Sequence, residues 1–195
     1  VSLARSQGGS VTCDRTNYSI GEQPAFTFVC EIGYKIKKVT VNGKAVSVTG
    51  NKFVLPEGTA GNLNVYAEFE KTVYKINFVV AGEGEAACDK TTYSVGDEVT
   101  VSYSCKDGFE AEITVNGEIA ESDGGTLKLS GYASDLDVKV RFVVKKYPVN
   151  VNVSEGGGYS LSPKGKIEHG GSVTLTLSPE TGYKTGSVTV NGVSL

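Results

Sequence analysis

A glycine followed by an aromatic residue, then a short run ending in Thr-Val-Asn-Gly, occurs three times in this chain of 195 residues: GYKIKKVTVNG from Gly33, GFEAEITVNG from Gly108 and GYKTGSVTVNG from Gly182. The flanking sequence repeats as well, and a period of roughly 75 residues marks an array of like modules rather than one large domain. An offset of 149 maps the first copy onto the third, and one of 75, falling to 74 at the Asn-Gly, maps it onto the second; the copies run 1–71, 72–146 and 147–195, the third ending soon after its Asn-Gly. At this size a module buries only a marginal core. The junctions Glu70-Lys71-Thr72 and Val144-Lys145-Lys146 carry strand-like sequence from one copy into the next, with no Gly/Ser hinge. A semi-rigid rod is the expectation.

Strand signals dominate. Phe26, Phe28 and Cys30 alternate with Thr27 and Val29, and Val99, Val101, Tyr103 and Cys105 do the same in the second copy. Asn42-Gly43, Asn116-Gly117 and Asn191-Gly192 each predict a two-residue hairpin, because a type I′ turn requires positive φ at both central residues. Closing strands are expected at Leu63–Phe69 and Leu136–Phe142. Residues Ser130 to Leu136 are expected to form at most one helical turn. The third copy has no counterpart of the closing strand: either the sequence is cut there or the strand comes from elsewhere, and an edge left unpaired would be a site for pairing with another chain.

Cys13/Cys30 and Cys88/Cys105 share a spacing of 17, unlike any Cys-x-x-Cys metal site. Gly21-Glu22 and Gly96-Asp97 lie at the midpoints. A type II′ turn there would set each pair opposite one another at a non-hydrogen-bonded site, about 4.5 Å between Cα atoms, within reach of a disulfide. In that register Pro24 faces Ser19, where its missing N–H is harmless. Bonds Cys13–Cys30 and Cys88–Cys105 are therefore expected, each contributing about 3 kcal/mol through chain entropy and implying an oxidising compartment. The third copy has Ser162 and Pro179 instead. The same register sets Arg15 and Asn17 opposite Phe28 and Phe26, a poor half-buried face that a bulge or wider loop near Asn17 would relieve.

The third copy, YPVNVNVSEGGGYSLSPKGKIEHGGSVTLTLSPETGY from Tyr147, orders a strand, a glycine cluster, Ser-Pro, a glycine turn, Val-Thr-Leu-Thr and Ser-Pro-x-x-Gly-Tyr. This resembles the divergent internalin B B-repeat domains, related to the Listeria-Bacteroides repeats. The resemblance implies an all-β chain of three tandem small antiparallel modules, β-grasp-like, with an Ig-like β-sandwich as the alternative. It implies a secreted or wall-attached bacterial protein in which such repeats act as stalks or adhesion modules, and it carries no catalytic residues. Where family members commonly have Trp, this chain has Val39, Ile113 and Val188, which removes one sugar-stacking surface.

The remaining chemistry reads as structural. His169, the single histidine, corresponds to Ile20 and Val95 beside a glycine turn, and no nucleophile-base pair repeats with it. Asp14/Asp89 and Glu22/Asp97 recur as turn acids without a calcium-loop pattern. Gly156-Gly157-Gly158 lacks the Lys-Ser/Thr and helix of a phosphate cradle. Leu55-Pro56-Glu57-Gly58-Thr59 and Ser178-Pro179-Glu180-Thr181-Gly182 resemble sortase signals but precede no apolar tail. Catalytic residues, metal and cofactors are accordingly expected to be none. A net charge of −3 without a basic stripe speaks against nucleic acid, and no run of 18 apolar residues predicts membrane insertion. A monomer is expected, with neighbouring domains of the same polypeptide and a host protein or glycan as partners. For the latter, Tyr18, Tyr34, Tyr93, Tyr132, Tyr159 and Tyr183 are the candidates.

Overall fold

The computed structural model describes residues 1–195 and is built of strands, turns and bends with no helix. Residues 130–135 hold bends rather than the expected helical turn. The first copy comprises β1 (Ser2–Arg5), β2 (Gly9–Cys13), β3 (Ala25–Cys30), β4 (Tyr34–Val41), β5 (Lys44–Val46), β6 (Lys52–Val54) and β7 (Asn64–Lys71). These form two sheets, ordered β1-β7-β4-β5 and β2-β3-β6. Pairing is antiparallel except for β1, which runs parallel to β7 with Ser2 opposite Asn64. The purely antiparallel expectation is corrected at that edge. A chain that enters the module at one end and leaves it at the other runs its first and last strands in the same direction, so they pair in parallel where they meet.

Alternation decides which face is buried. Val65, Ala67 and Phe69 of β7 and Val39 of β4 point inward, and Phe26 and Phe28 of β3 meet them from the other sheet. Leu55 and Leu63 complete this core, and the Phe26 and Phe53 rings stack at 6.1 Å. At roughly 1.5–3 kcal/mol for each large apolar side chain removed from water, a cluster of this size is what makes so small a module fold. With no helix to lie across the mixed sheet, the second sheet covers it, as in the sandwich alternative.

The second copy repeats the plan with β8 (Val73–Ala81), β9 (Gly84–Cys88), β10 (Thr92–Ser94), β11 (Val99–Cys105), β12 (Phe109–Val115), β13 (Glu118–Ile119), β14 (Thr126–Leu129) and β15 (Leu136–Val144). Its sheets are ordered β10-β8-β15-β12-β13 and β14-β11-β9. Val99, Val101, Ile113, Leu127, Leu136, Val138, Val140 and Phe142 are buried. The third copy holds only short pairs: β16 (Lys146–Tyr147) with β18 (Ile167–Glu168), β17 (Gly157–Ser162) with β19 (Thr174–Pro179), and β20 (Thr189–Val190) with β21 (Val193–Ser194). No residue from Tyr147 onward is buried.

The chain divides into two compact units, one of Val1–Val79, Ala87–Ser102 and Ile113–Lys139, the other of Val80–Ala86, Tyr103–Glu112 and Val140–Leu195.

Candidate functional site: the turns and joints of the repeat

The cysteine register differs from the one the midpoint argument predicts. Gly9 lies opposite Cys30, and Cys13 lies opposite Phe26. The two cysteines are thus four residues apart along the ladder, roughly 13 Å at the ordinary strand rise, well beyond the about 7 Å that a disulfide spans. Asp89 N–H donates to Thr100 O at 3.0 Å as Asp14 N–H does to Ala25 O at 3.1 Å, so Cys88 stands opposite Val101 by the same register. All four thiols are free.

The cause is the turn. Glu22 N–H donates to Ser19 O, and Asp97 N–H to Ser94 O, which makes Gly21 (φ 95) and Gly96 (φ 92) the second central residue of each turn. Positive φ at that position defines a type II turn, not the II′ turn of a two-residue hairpin. The turn therefore sits within a wide loop, residues 14–24, in line with the relief that Arg15 and Asn17 called for.

The recurrent acids hold that loop. Asp14 Oδ1 accepts Ala25 N–H at 3.0 Å, and Asp89 Oδ1 accepts Thr100 N–H at 2.8 Å, each closing the mouth where strand pairing stops. The Ala25 N–H, then the Arg15 guanidinium, hold the Asp14 carboxyl below its ordinary value. Glu22 Oε2 and Asp97 Oδ2 accept the N–H of Ser19 and Ser94 at 2.6 and 2.8 Å, tying the tip. Tyr18 and Tyr93 donate their hydroxyls to Gly61 O and Ser134 O, which binds the loop to the entrance of the closing strand. Burial pushes the Tyr93 phenol up.

The Asn-Gly turns serve the closing strand too. Asn42 and Gly43 have φ 50 and 81, Asn116 and Gly117 have 52 and 87, and Asn191 and Gly192 have 49 and 82. At Asn42 and Asn116 the left-handed backbone turns the carboxamide toward the closing strand. Asn42 Oδ1 accepts Asn64 N–H at 2.8 Å and its Nδ2 donates to Asn62 O at 3.0 Å. Asn116 Oδ1 accepts Asp137 N–H at 2.8 Å. The sequence reading missed this clamp, although the constant Asn, where Asp or Gly would also turn, was its signal.

The Gly-aromatic motif is likewise a type II turn. Tyr34, Phe109 and Tyr183 each donate their N–H, at 3.0 Å, to the residue three before (Glu31, Lys106, Glu180). Gly33, Gly108 and Gly182 take φ 81, 79 and 91. Absence of a side chain matters here for a second reason. A Cβ on Gly33 would lie 2.1 Å from Val95 Cγ2, and one on Gly108 would lie 2.2 Å from the His169 Cδ2. Val95 and His169 occupy the same place, just before the turn glycine of the following copy. Each therefore rests on the bare glycine of the copy before it.

Backbone hydrogen bonds complete both joints. Gly33 O accepts Thr72 N–H at 2.7 Å, and Gly108 O accepts Lys145 N–H at 2.8 Å. Beyond each linker residue the strand pairs at once with the segment leading into the turn, Val73 with Ser94 and Lys146 with Glu168. At the second joint Lys145 O accepts His169 N–H at 2.8 Å, Lys146 Nζ meets Glu168 Oε1 at 3.2 Å, and the Tyr147 ring lies 6.1 Å from the imidazole. The His169 Nε2 is 3.8 Å from the exposed Asp107 carboxylate. His169 is thus a joint residue.

Residues 1–73 match the model of the divergent InlB B-repeat domain. The recognition drawn from the motifs holds over the first copy, and the matched span ends at the joint just described. No curated protein matches the chain. The chain holds no grouping of three or more His, Cys, Asp or Glu side chains able to bind a metal ion, and no helix is long and apolar enough to cross a membrane.

Proposed function

We propose that the chain is a non-catalytic spacer in a bacterial cell-surface or secreted protein, in which tandem B-repeat-like modules hold another domain away from its anchor. The observation that carries this reading is the joint. The same three elements recur at both junctions: a bare glycine, a packed side chain from the next copy, and a linker residue hydrogen-bonded to the glycine carbonyl. A spacer requires resistance to bending, and a linker of one hydrogen-bonded residue between strands leaves little freedom for it. The family match supports the surface setting, since B-repeats are modules of bacterial surface proteins. Small-angle scattering tests the reading. A profile of a stiff, elongated particle is expected, while a compact globule or freely jointed bodies would overturn it.

A second reading, adhesion to a host protein or glycan, is favoured by the exposed rings of Tyr159 and Tyr183 in the third copy. Glycan-array and host-protein binding screens that lose signal on Tyr183→Ala would establish it, and silence in both would remove it.

A further inference from the structure

The first copy carries eight Lys and Arg against six Asp and Glu, a net charge of +2, and the second carries eight against thirteen, a net charge of −5. Most of that difference falls in one place. After the Asn-Gly turn, Lys44, Ser47, Thr49 and Lys52 of the first copy stand where the second has Glu118, Glu121, Asp123 and Thr126. Across the main sheet the sign inverts as well, but there the charges are matched within each copy. Lys37 pairs with Glu68 at 2.8 Å, and at the equivalent places Glu112 pairs with Arg141 at 3.8 Å. The charges after the turn have no such match: Lys44, Lys52, Glu118, Glu121 and Asp123 are exposed and form no ion pair.

These charges sit on and just beyond a sheet rim. β5 is the last strand of its sheet, and β13 is the last of its own. Val41 and Lys44 flank a two-residue turn as a hydrogen-bonded pair, as do Val115 and Glu118. The next pairs, Thr40 with Ala45 and Thr114 with Ile119, are therefore non-hydrogen-bonded. So the N–H and C=O of Ala45 and of Ile119 point away from the hairpin, toward the open side of the rim. Both residues are exposed, Ile119 at 86%. An open rim can take another strand, and charge decides which one. Two β5 rims would bring lysines together and two β13 rims would bring carboxylates together, while β5 against β13 matches opposite signs.

We propose that the chain binds a second copy of itself through these rims, the β5 rim of one molecule pairing with the β13 rim of another. In the antiparallel register that the backbone sets, Ala45 and Ile119 exchange N–H···O bonds. Lys44 then lies diagonal to Glu118 on one face of the joined sheet, within reach of a long side chain. Rims this short bury little area, so the association is weak and salt-dependent. The monomer expected from the sequence is the form in dilute or high-salt solution.

Sedimentation equilibrium of the intact chain, under reducing conditions, provides the test. Reversible association is expected at about 0.1–1 mM protein in a buffer of about 0.01 M ionic strength. It should fade at about 1 M, where the screening length falls to about 3 Å. Two variants make the rims alike: Lys44→Glu with Lys52→Glu leaves both acidic, and Glu118→Lys with Glu121→Lys leaves both basic. Each alone should associate at least about tenfold more weakly than the parent, and an equimolar mixture of the two should recover the association. A parent chain that stays monomeric throughout this range at low salt, variants that associate as the parent does, or a mixture no stronger than its components would overturn the proposal. None of these outcomes bears on stiffness at the Gly33 and Gly108 joints, so failure here leaves the spacer reading standing.

Discussion

The first two copies and the third share turns, Asn-Gly pairs and the Gly-aromatic motif, yet only the first two bury a core. The local geometry is the same in all three: the turn glycines Gly21, Gly96 and Gly170 each have positive φ, as do Asn42, Asn116 and Asn191. Residues 147–195 reach only as far as the Asn-Gly turn and so include no counterpart of β7 or β15; among them the Gly-Tyr strand is two residues long and the valine-rich entering segment does not pair. Short-range turn chemistry therefore shapes these modules, but the central strand of the mixed sheet consolidates them. A single hairpin is marginal in water, and three or more strands with a shared apolar face are needed.

Core truncation should separate the copies most sharply. Phe26→Ala removes a fully buried ring stacked on Phe53 and is expected to cost the first copy about 3–5 kcal/mol. Leu177→Ala, at the corresponding third-copy position to Phe28, should cost under about 1 kcal/mol, since it leaves no enclosed cavity. Residue-resolved hydrogen exchange in denaturant reads both, and equal losses would break the comparison.

Next come the motif glycines. Gly33→Ala and Gly182→Ala share the strain of a left-handed alanine, about 1–2 kcal/mol. Only Gly33→Ala also drives a methyl into Val95, because open space surrounds Gly182. Gly33→Ala should be the more damaging in thermal unfolding, and parity would mean that Val95 moves aside freely.

A smaller difference is expected at the Asn clamps. Asn42→Ala loses two hydrogen bonds to the approach of β7 and should destabilise by about 1–2 kcal/mol. Asn191→Ala has no closing strand to release and should show the lesser effect by the same exchange measurement.

The smallest effect concerns acid. The Asp14 carboxyl is held below its ordinary value of 3.8 by Ala25 N–H and Arg15. A depressed folded-state value contributes stability that is present above the unfolded value and lost as pH falls through the folded one. Loop 14–24 should loosen below about pH 3.8, Asp14→Asn should flatten that dependence, and the third copy, with Ser162-Pro163 at this place, should not share it. Exchange at Ala25 against pH is the readout.

These contrasts also explain what could be read from the chain beforehand. The all-β class and the family resemblance were legible because alternation and turn residues are local signals. Register was not. The midpoint of a cysteine pair predicts opposition only if the turn is two residues long, and Gly21 serves a type II turn inside a loop of eleven residues closed by Asp14. Nor could spacing show that β1 pairs parallel with β7, a contact 62 residues away in sequence between Ser2 and Asn64. The joints were half visible: the motif glycines repeat, but that Val95 and His169 cover them depends on packing between copies. His169, the single histidine, stands where the second copy has the half-buried Val95, and an imidazole covers the preceding glycine there as a valine does.

Rigidity at the joint is the central claim, and pulsed electron spin resonance measures it most directly. Spin labels at Lys44 and Lys128, one on each of the first two copies, in a chain with its four cysteines changed to Ser, should give a single narrow distance distribution that broadens with Val95→Gly. A distribution already broad before that substitution, or one that Val95→Gly leaves unchanged, would contradict the account.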